Sequence, residues 1–325
     1  MRGHLLLVAI LTGLLSSCKD YPTEPINDWT HLSDFPGTPR ASATSFVVGD
    51  KAYICLGRSG GNGLGFLNDL WEFNSVDSSW TRKANLPESF KARVKAVAGV
   101  IGLKAYVGMG AVSPYVEPNK QFNDFWEYDT QTDTWTRKAD FPGEGKNDLF
   151  CTVVDGCLYT AMGYTGDARL HDTYKYDPSS NLWTKLPRCP GNYNNPAGFS
   201  IGHDFYVGSG FNGSNHNEFY RFQTQLEKWS QVADLPDARI LSSGVSINDK
   251  GYVLLGRYWN GALNGGRLLS DIVEYDPAEN SWTKRGSFPG GARQNAIVFS
   301  INGKGYVVGG EDDAERKSDV WMFRP

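Results

Sequence analysis

The chain has 325 residues, 13% of them aromatic, with 37 glycines, 16 prolines and a formal charge of −4. That charge, with a sequence pI near 5.8, supplies no basic field to hold a nucleic-acid backbone. So much glycine and proline, with no long apolar stretch of 3.6-residue period, points to short strands and tight turns in one large all-β domain.

Residues 1–17 stand apart. Met1-Arg2-Gly3-His4 is a short cationic start, and Leu5 to Leu15 is an apolar run too short to span a bilayer, the layout of a cleaved export signal. The signal ends at Leu15-Ser16-Ser17-Cys18, which resembles the lipobox of bacterial lipoproteins. The resemblance implies that the Cys18 thiol is acylated and becomes the mature N-terminus, in the bacterial cell envelope on the outer membrane. Residues 18–27, polar and with two prolines, are expected to tether the folded domain, residues 28–325, to that membrane.

Two blocks then alternate along the chain. In the first, Tyr53, Tyr106, Tyr159, Tyr206, Tyr252 and Tyr306 each precede by four residues a glycine: Gly57, Gly110, Gly163, Gly210, Gly256 and Gly310. A two-residue turn such as Asp155-Gly156 or Asn302-Gly303 stands ahead of each tyrosine, built from residues that tolerate positive φ in tight hairpins. In the second block an acidic residue (Asp69, Asp124, Asp172, Glu218, Asp271) is followed after four residues by an aromatic and after seven more by Trp80, Trp135, Trp183, Trp229 or Trp282. Each copy thus predicts four antiparallel strands, the signature of a propeller blade.

Through the glycine after strand two and the aromatic and tryptophan seven apart, residues 29 to 325 resemble the kelch family. Only Gly309-Gly310 keeps the family's glycine pair. The C-terminal copy has Asp319 and Phe323 but stops before a tryptophan, while Trp29 has nothing before it. The resemblance therefore implies a six-bladed kelch-type β-propeller whose last blade is closed by the N-terminal strand around Trp29, leaving no free edge. The tryptophans and strand-three aromatics are expected to pack between blades. The repeated acid is expected to accept from loop N–H groups at the start of strand three.

Function in a propeller is carried by loops at one end of the channel. Seventeen residues before each repeated glycine stand Arg40, Arg93, Lys146, Tyr193, Arg239 and Arg293. Two readings are open: a cationic ring at the channel mouth facing an anion, as resemblance to acidic-peptide-binding kelch domains implies, or internal pairing of each arginine with the repeated acid. The loops after the glycines add Tyr115, Tyr164, Phe211, Tyr258 and Trp259, with Asn62, Asn212, Asn260 and Asn264. Aromatic faces beside amides suit the C–H patches and hydroxyl edges of sugars.

The leading expectation is a membrane-anchored, non-catalytic binding module for a carbohydrate or a protein. A second is an enzyme: the sialic-acid mutarotases are exported six-bladed kelch propellers, and that resemblance would make Glu117, Asp167 or Glu311 the acid/base candidates. The loops here lack the long insertion that forms that family's lid. A third is a structural envelope-assembly protein. No cofactor or metal is expected. Cys55, Cys151, Cys157 and Cys189 show no metal-ligand spacing, and hairpin pairing sets Cys157 opposite Val154, against a 151–157 disulfide. The galactose-oxidase relatives need a copper site of histidines and tyrosines that the five histidines here do not supply.

Overall fold

A computed structural model describes residues 21–60, 65–112, 120–261 and 265–325. Among these residues the strands form six four-stranded antiparallel sheets. The innermost strands, Thr44–Val48, Val97–Ile101, Phe150–Val154, Ala197–Ile201, Ser243–Ile247 and Ile297–Ile301, succeed one another around a central channel. The sixth sheet is completed by Asp28–His31, which pairs with Val320–Arg324 and sets Trp29 opposite Phe323. The all-β six-bladed propeller closed around Trp29 is the fold.

Why the repeated residues repeat is visible at each blade junction. Tyr128 lies 4.8 Å from Trp135 within blade 2 and 6.0 Å from Tyr53 of blade 1. Tyr275 repeats this with Trp282 at 5.0 Å and Tyr206 of blade 4 at 5.3 Å. Trp135, Trp183, Trp229 and Trp282 then donate Nε1 to carbonyls of the preceding blade, Trp183 to Ala139 and Trp282 to Ala233. Inter-blade packing of aromatics is thus the main apolar cohesion.

The glycines close the ring through the backbone. Each donates its N–H to the carbonyl at the start of the next blade: Gly57 to Arg93, Gly110 to Lys146, Gly163 to Tyr193, Gly210 to Arg239, Gly256 to Arg293, and Gly310 back to Arg40. At Gly57 φ is +88°, and an added Cβ would lie 2.9 Å from the Ala41 carbonyl oxygen, so no other residue fits. In five blades the residue before this glycine is Leu56, Met109, Met162, Ser209 or Leu255, yet each keeps the left-handed φ of Gly309. The glycine-pair conformation survives where the pair does not.

Part of the segment expected as a tether, residues 21–26, is docked on the propeller. Tyr21 to Ile26 run along the outer edge of blade 5: Glu24 and Ile26 donate N–H groups to Lys284 and Arg285 carbonyls, Lys284 donates to Pro22, and Ile26 is buried. Cys157 lies opposite Val154 as the hairpin register requires, and all four cysteines of the described chain are free thiols.

Candidate functional site

The mouth is built where the chain enters each innermost strand, and the cations expected to ring it do not face it. Arg93 is 0% exposed; its Nη1 and Nη2 donate to Asp124 at 2.5 and 3.1 Å, and Nη1 also to the Met109 carbonyl. Arg40 grips Asp69 at 2.7 Å through both nitrogens. Arg239 and Asp271, and Arg293 and Asp319, repeat the pairing. Phe35, Phe90 and Phe288 cover three of these guanidinium groups.

Of the two readings, internal pairing is the one found: these arginines staple the first and third strands of a blade and have no charge left to offer an anion. The repeated acid correspondingly accepts from arginine, and from Trp71, Trp126 or Trp321, where loop N–H groups were expected. Burial raises the Asp69 pKa, but the hydrogen bonds and charge of Arg40 more than reverse it, leaving it below the usual carboxylate range. The other two members are buried as well. Lys146 lies over the Phe141 ring at 4.1 Å, its pKa pushed down to about 8 by burial, and Tyr193 stacks on His216 at 4.4 Å.

The groups that do reach the channel stand two residues further on: Ser42, Lys95, Asp148, Asn195, Leu241 and Asn295. All six adopt left-handed φ between 53° and 57°, and backbone bonds link neighbours, Lys95 N to Ser42 O and Asn195 N to Asp148 O at 3.1 Å, Asn295 N to Leu241 O at 3.0 Å. They enclose an axial pocket of about 170 Å³. Across it Lys95 Nζ donates to Asn295 Oδ1 at 2.6 Å and Asn195 Oδ1 at 3.1 Å, and lies 3.6 Å from Asp148 Oδ1.

Burial raises the Asp148 pKa against the pull of Lys95, and lowers that of Lys95 against the pull of Asp148 and Glu311. Sequence reasoning missed this ring, although its members stand fifteen residues before each repeated glycine. The available signal was variation: an otherwise regular position that changes chemistry from copy to copy.

Around the ring lies a rim. Glu311, an acid/base candidate, is 6% exposed and locked: it accepts from Arg58 at 2.8 and 2.9 Å and Asn295 at 2.9 Å, with Arg316 3.3 Å away. Asp167 is exposed on its loop. Glu117, Tyr115, Asn62, Asn264 and Cys18 lie outside the described residues. Tyr164 is bonded through its hydroxyl to the Gly166 carbonyl, and the Arg169 guanidinium lies 5.0 Å from the Phe211 ring.

Phe211 meets Trp259 edge to face at 5.0 Å, and Tyr258 beside it is 45% exposed. Trp259 borders a cleft of about 560 Å³ with Leu241, Arg257, Gly265, Gln294 and Asp313. There Arg257 is paired with Asp313. Among the described residues no group of three or more histidine, cysteine or acidic side chains is placed to hold a metal ion.

The KLHDC2/KLHL20/DRC7 Kelch-repeats domain family matches residues 115–256. The solved structure titled "Structure of YjhT" superposes with a TM-score of 0.75 at 19% identity, over 90% of this chain and 97% of that one. This chain is a six-bladed kelch propeller. The kelch propeller is 25% identical over 296 residues to Kelch-like protein 25 of Xenopus tropicalis, covering 88% of this chain and 47% of that protein.

A second similarity is to the Leucine-zipper-like transcriptional regulator 1 homolog of Drosophila melanogaster, 24% identical over 92% of this chain and 32% of that protein. To the N-acetylneuraminate epimerase of Pasteurella multocida the kelch propeller is 32% identical over 127 residues, 38% of this chain and 33% of that enzyme. It spans about half the length or less of these curated relatives.

Proposed function

We propose that this propeller is a non-catalytic binding module whose channel mouth takes a carbohydrate. The observation that carries the reading is the aromatic corner of Phe211 and Trp259 beside a polar cleft that opens toward the ring. The charged groups of the mouth are held in place, Arg257 by Asp313 and both Arg58 and Arg316 by Glu311, so it offers donors and acceptors in fixed positions. Fixed donors and acceptors beside an aromatic corner suit a hydroxylated ligand.

Of the two acid/base candidates among the described residues, Glu311 is held by four partners and Asp167 stands exposed on a loop, which favours binding over catalysis. A protein ligand is the second reading, supported by the similarity to Kelch-like protein 25 over 88% of the chain.

Calorimetry and thermal-shift measurements with gluco-, galacto- and manno-configured tetrasaccharides test the proposal. A rise in melting temperature is expected with at least one, and Trp259→Ala should weaken that binding about tenfold, the scale of one stacking contact. No shift with any sugar overturns the reading in favour of a protein partner.

We also propose that the chain is exported and held in the cell envelope by acylated Cys18. Two residues separate Cys18 from the docked Tyr21, so the anchor would hold the edge of blade 5 within about 10 Å of the lipid. Palmitate labelling should mark the wild-type chain and be lost in Cys18→Ser, with transfer to the aqueous phase on detergent partition; equal labelling of both removes the anchor.

A further inference from the structure

We infer that the axial pocket is the end-unit subsite of this binding face, where Lys95 and Asp148 read the hydroxyls of one terminal neutral sugar residue. The inference rests on the carbohydrate reading and goes beyond it by naming which part of the ligand is read, and by what.

Three observations carry it. The first is an unfilled set of polar atoms. Asp148 Oδ1 and Ser242 Oγ, on residues that line the pocket, are buried without a hydrogen bond among the described residues, Oδ1 keeping only its 3.6 Å ion contact with Lys95, and such groups are costly to leave without one.

The second is the chemistry that would pair them. A lysine ammonium can only donate and a carboxylate oxygen can only accept, and Lys95 Nζ and Asp148 Oδ1 stand 3.6 Å apart. A hydroxyl does both: it can accept from Nζ and donate to Oδ1 at once. An anion would meet the Asp148 carboxyl group, and a cation would meet the ammonium. A neutral polyol meets neither penalty.

The third is continuity. Leu241 lines both the axial pocket and the outer cleft beside Trp259, so a chain lying against Trp259 leads onto the axis. At about 170 Å³ the axial pocket is below the range of about 300–1,000 Å³ typical of drug-sized ligands. It suits a single ring, which makes the propeller a reader of chain ends.

The test is calorimetry on the mature chain with glucose, galactose, mannose and N-acetylglucosamine and their tetrasaccharides. Asp148→Asn and Lys95→Met should each weaken monosaccharide and tetrasaccharide alike by tenfold or more, whereas Trp259→Ala should weaken the tetrasaccharide alone. Should either axial variant misfold, monodeoxy analogues of the bound sugar give the same information on the unaltered protein: loss of binding on removing a hydroxyl of the end unit, and no loss at internal units. Full-strength tetrasaccharide binding by well-folded Asp148→Asn and Lys95→Met, or loss at internal hydroxyls only, overturns the end-unit subsite and leaves the carbohydrate reading standing. Absence of sugar binding by the wild-type chain overturns both.

Discussion

Arg93→Ala should lower the unfolding free energy by about 3–5 kcal/mol, the scale for removing one partner of a buried ion pair, while ligand affinity of the folded fraction stays unchanged. The side chain is enclosed, with Phe90 and Phe122 rings 4.0 and 3.8 Å from its guanidinium carbon. Truncation removes both guanidinium donors from Asp124, which keeps Trp126 Nε1, and takes from the Met109 carbonyl its donor. Arg93→Lys should fall between wild type and alanine, because an ammonium cannot reproduce the two-pronged grip. Urea titration read by tryptophan fluorescence measures this. An unchanged midpoint together with weakened ligand binding would return Arg93 to the mouth.

Deletion of residues 21–33 should abolish cooperative unfolding and produce oligomers. Asp28–His31 is the outer strand of blade 6. Trp29 lies 4.7 Å from Phe323 and 5.3 Å from Phe288, with its Nε1 donated to the Ile26 carbonyl. Without it, Val320–Arg324 becomes a free edge with Phe323 uncovered on one side, a template for pairing with another chain. Size-exclusion chromatography and calorimetric melting decide the matter: a monomer with the parent's melting temperature would mean that the blade closes without its N-terminal strand.

The scaffold was legible because identical contacts must be made at every junction. Trp135 and Trp282 recur since each bonds the loop of the blade before it, and Gly57 and Gly310 recur since each passes a hydrogen bond to the blade after it. The same logic should have assigned the arginines. A residue that is nearly the same in every copy serves the ring, but Arg40 and Asp69 stand 29 residues apart, and nothing in the spacing announces that they meet. Lys95 and Asp148 escaped for the opposite reason, since they occupy one position in different blades and look unrelated. The docked segment before Trp29 escaped because its polar composition conceals one apolar anchor, Ile26.

The left-handed backbone of the six mouth residues limits what this surface can become. Such a conformation costs a non-glycine residue about 1–3 kcal/mol, least for asparagine and aspartate, which fill three of the six places here. It is an outlier for valine, isoleucine or threonine. Through substitution the mouth is thus confined to an alphabet of side chains unbranched at Cβ, which favours short amides, carboxylates and flexible cations. A propeller of this build acquires new ligands by respelling six letters, and its backbone decides which letters are allowed.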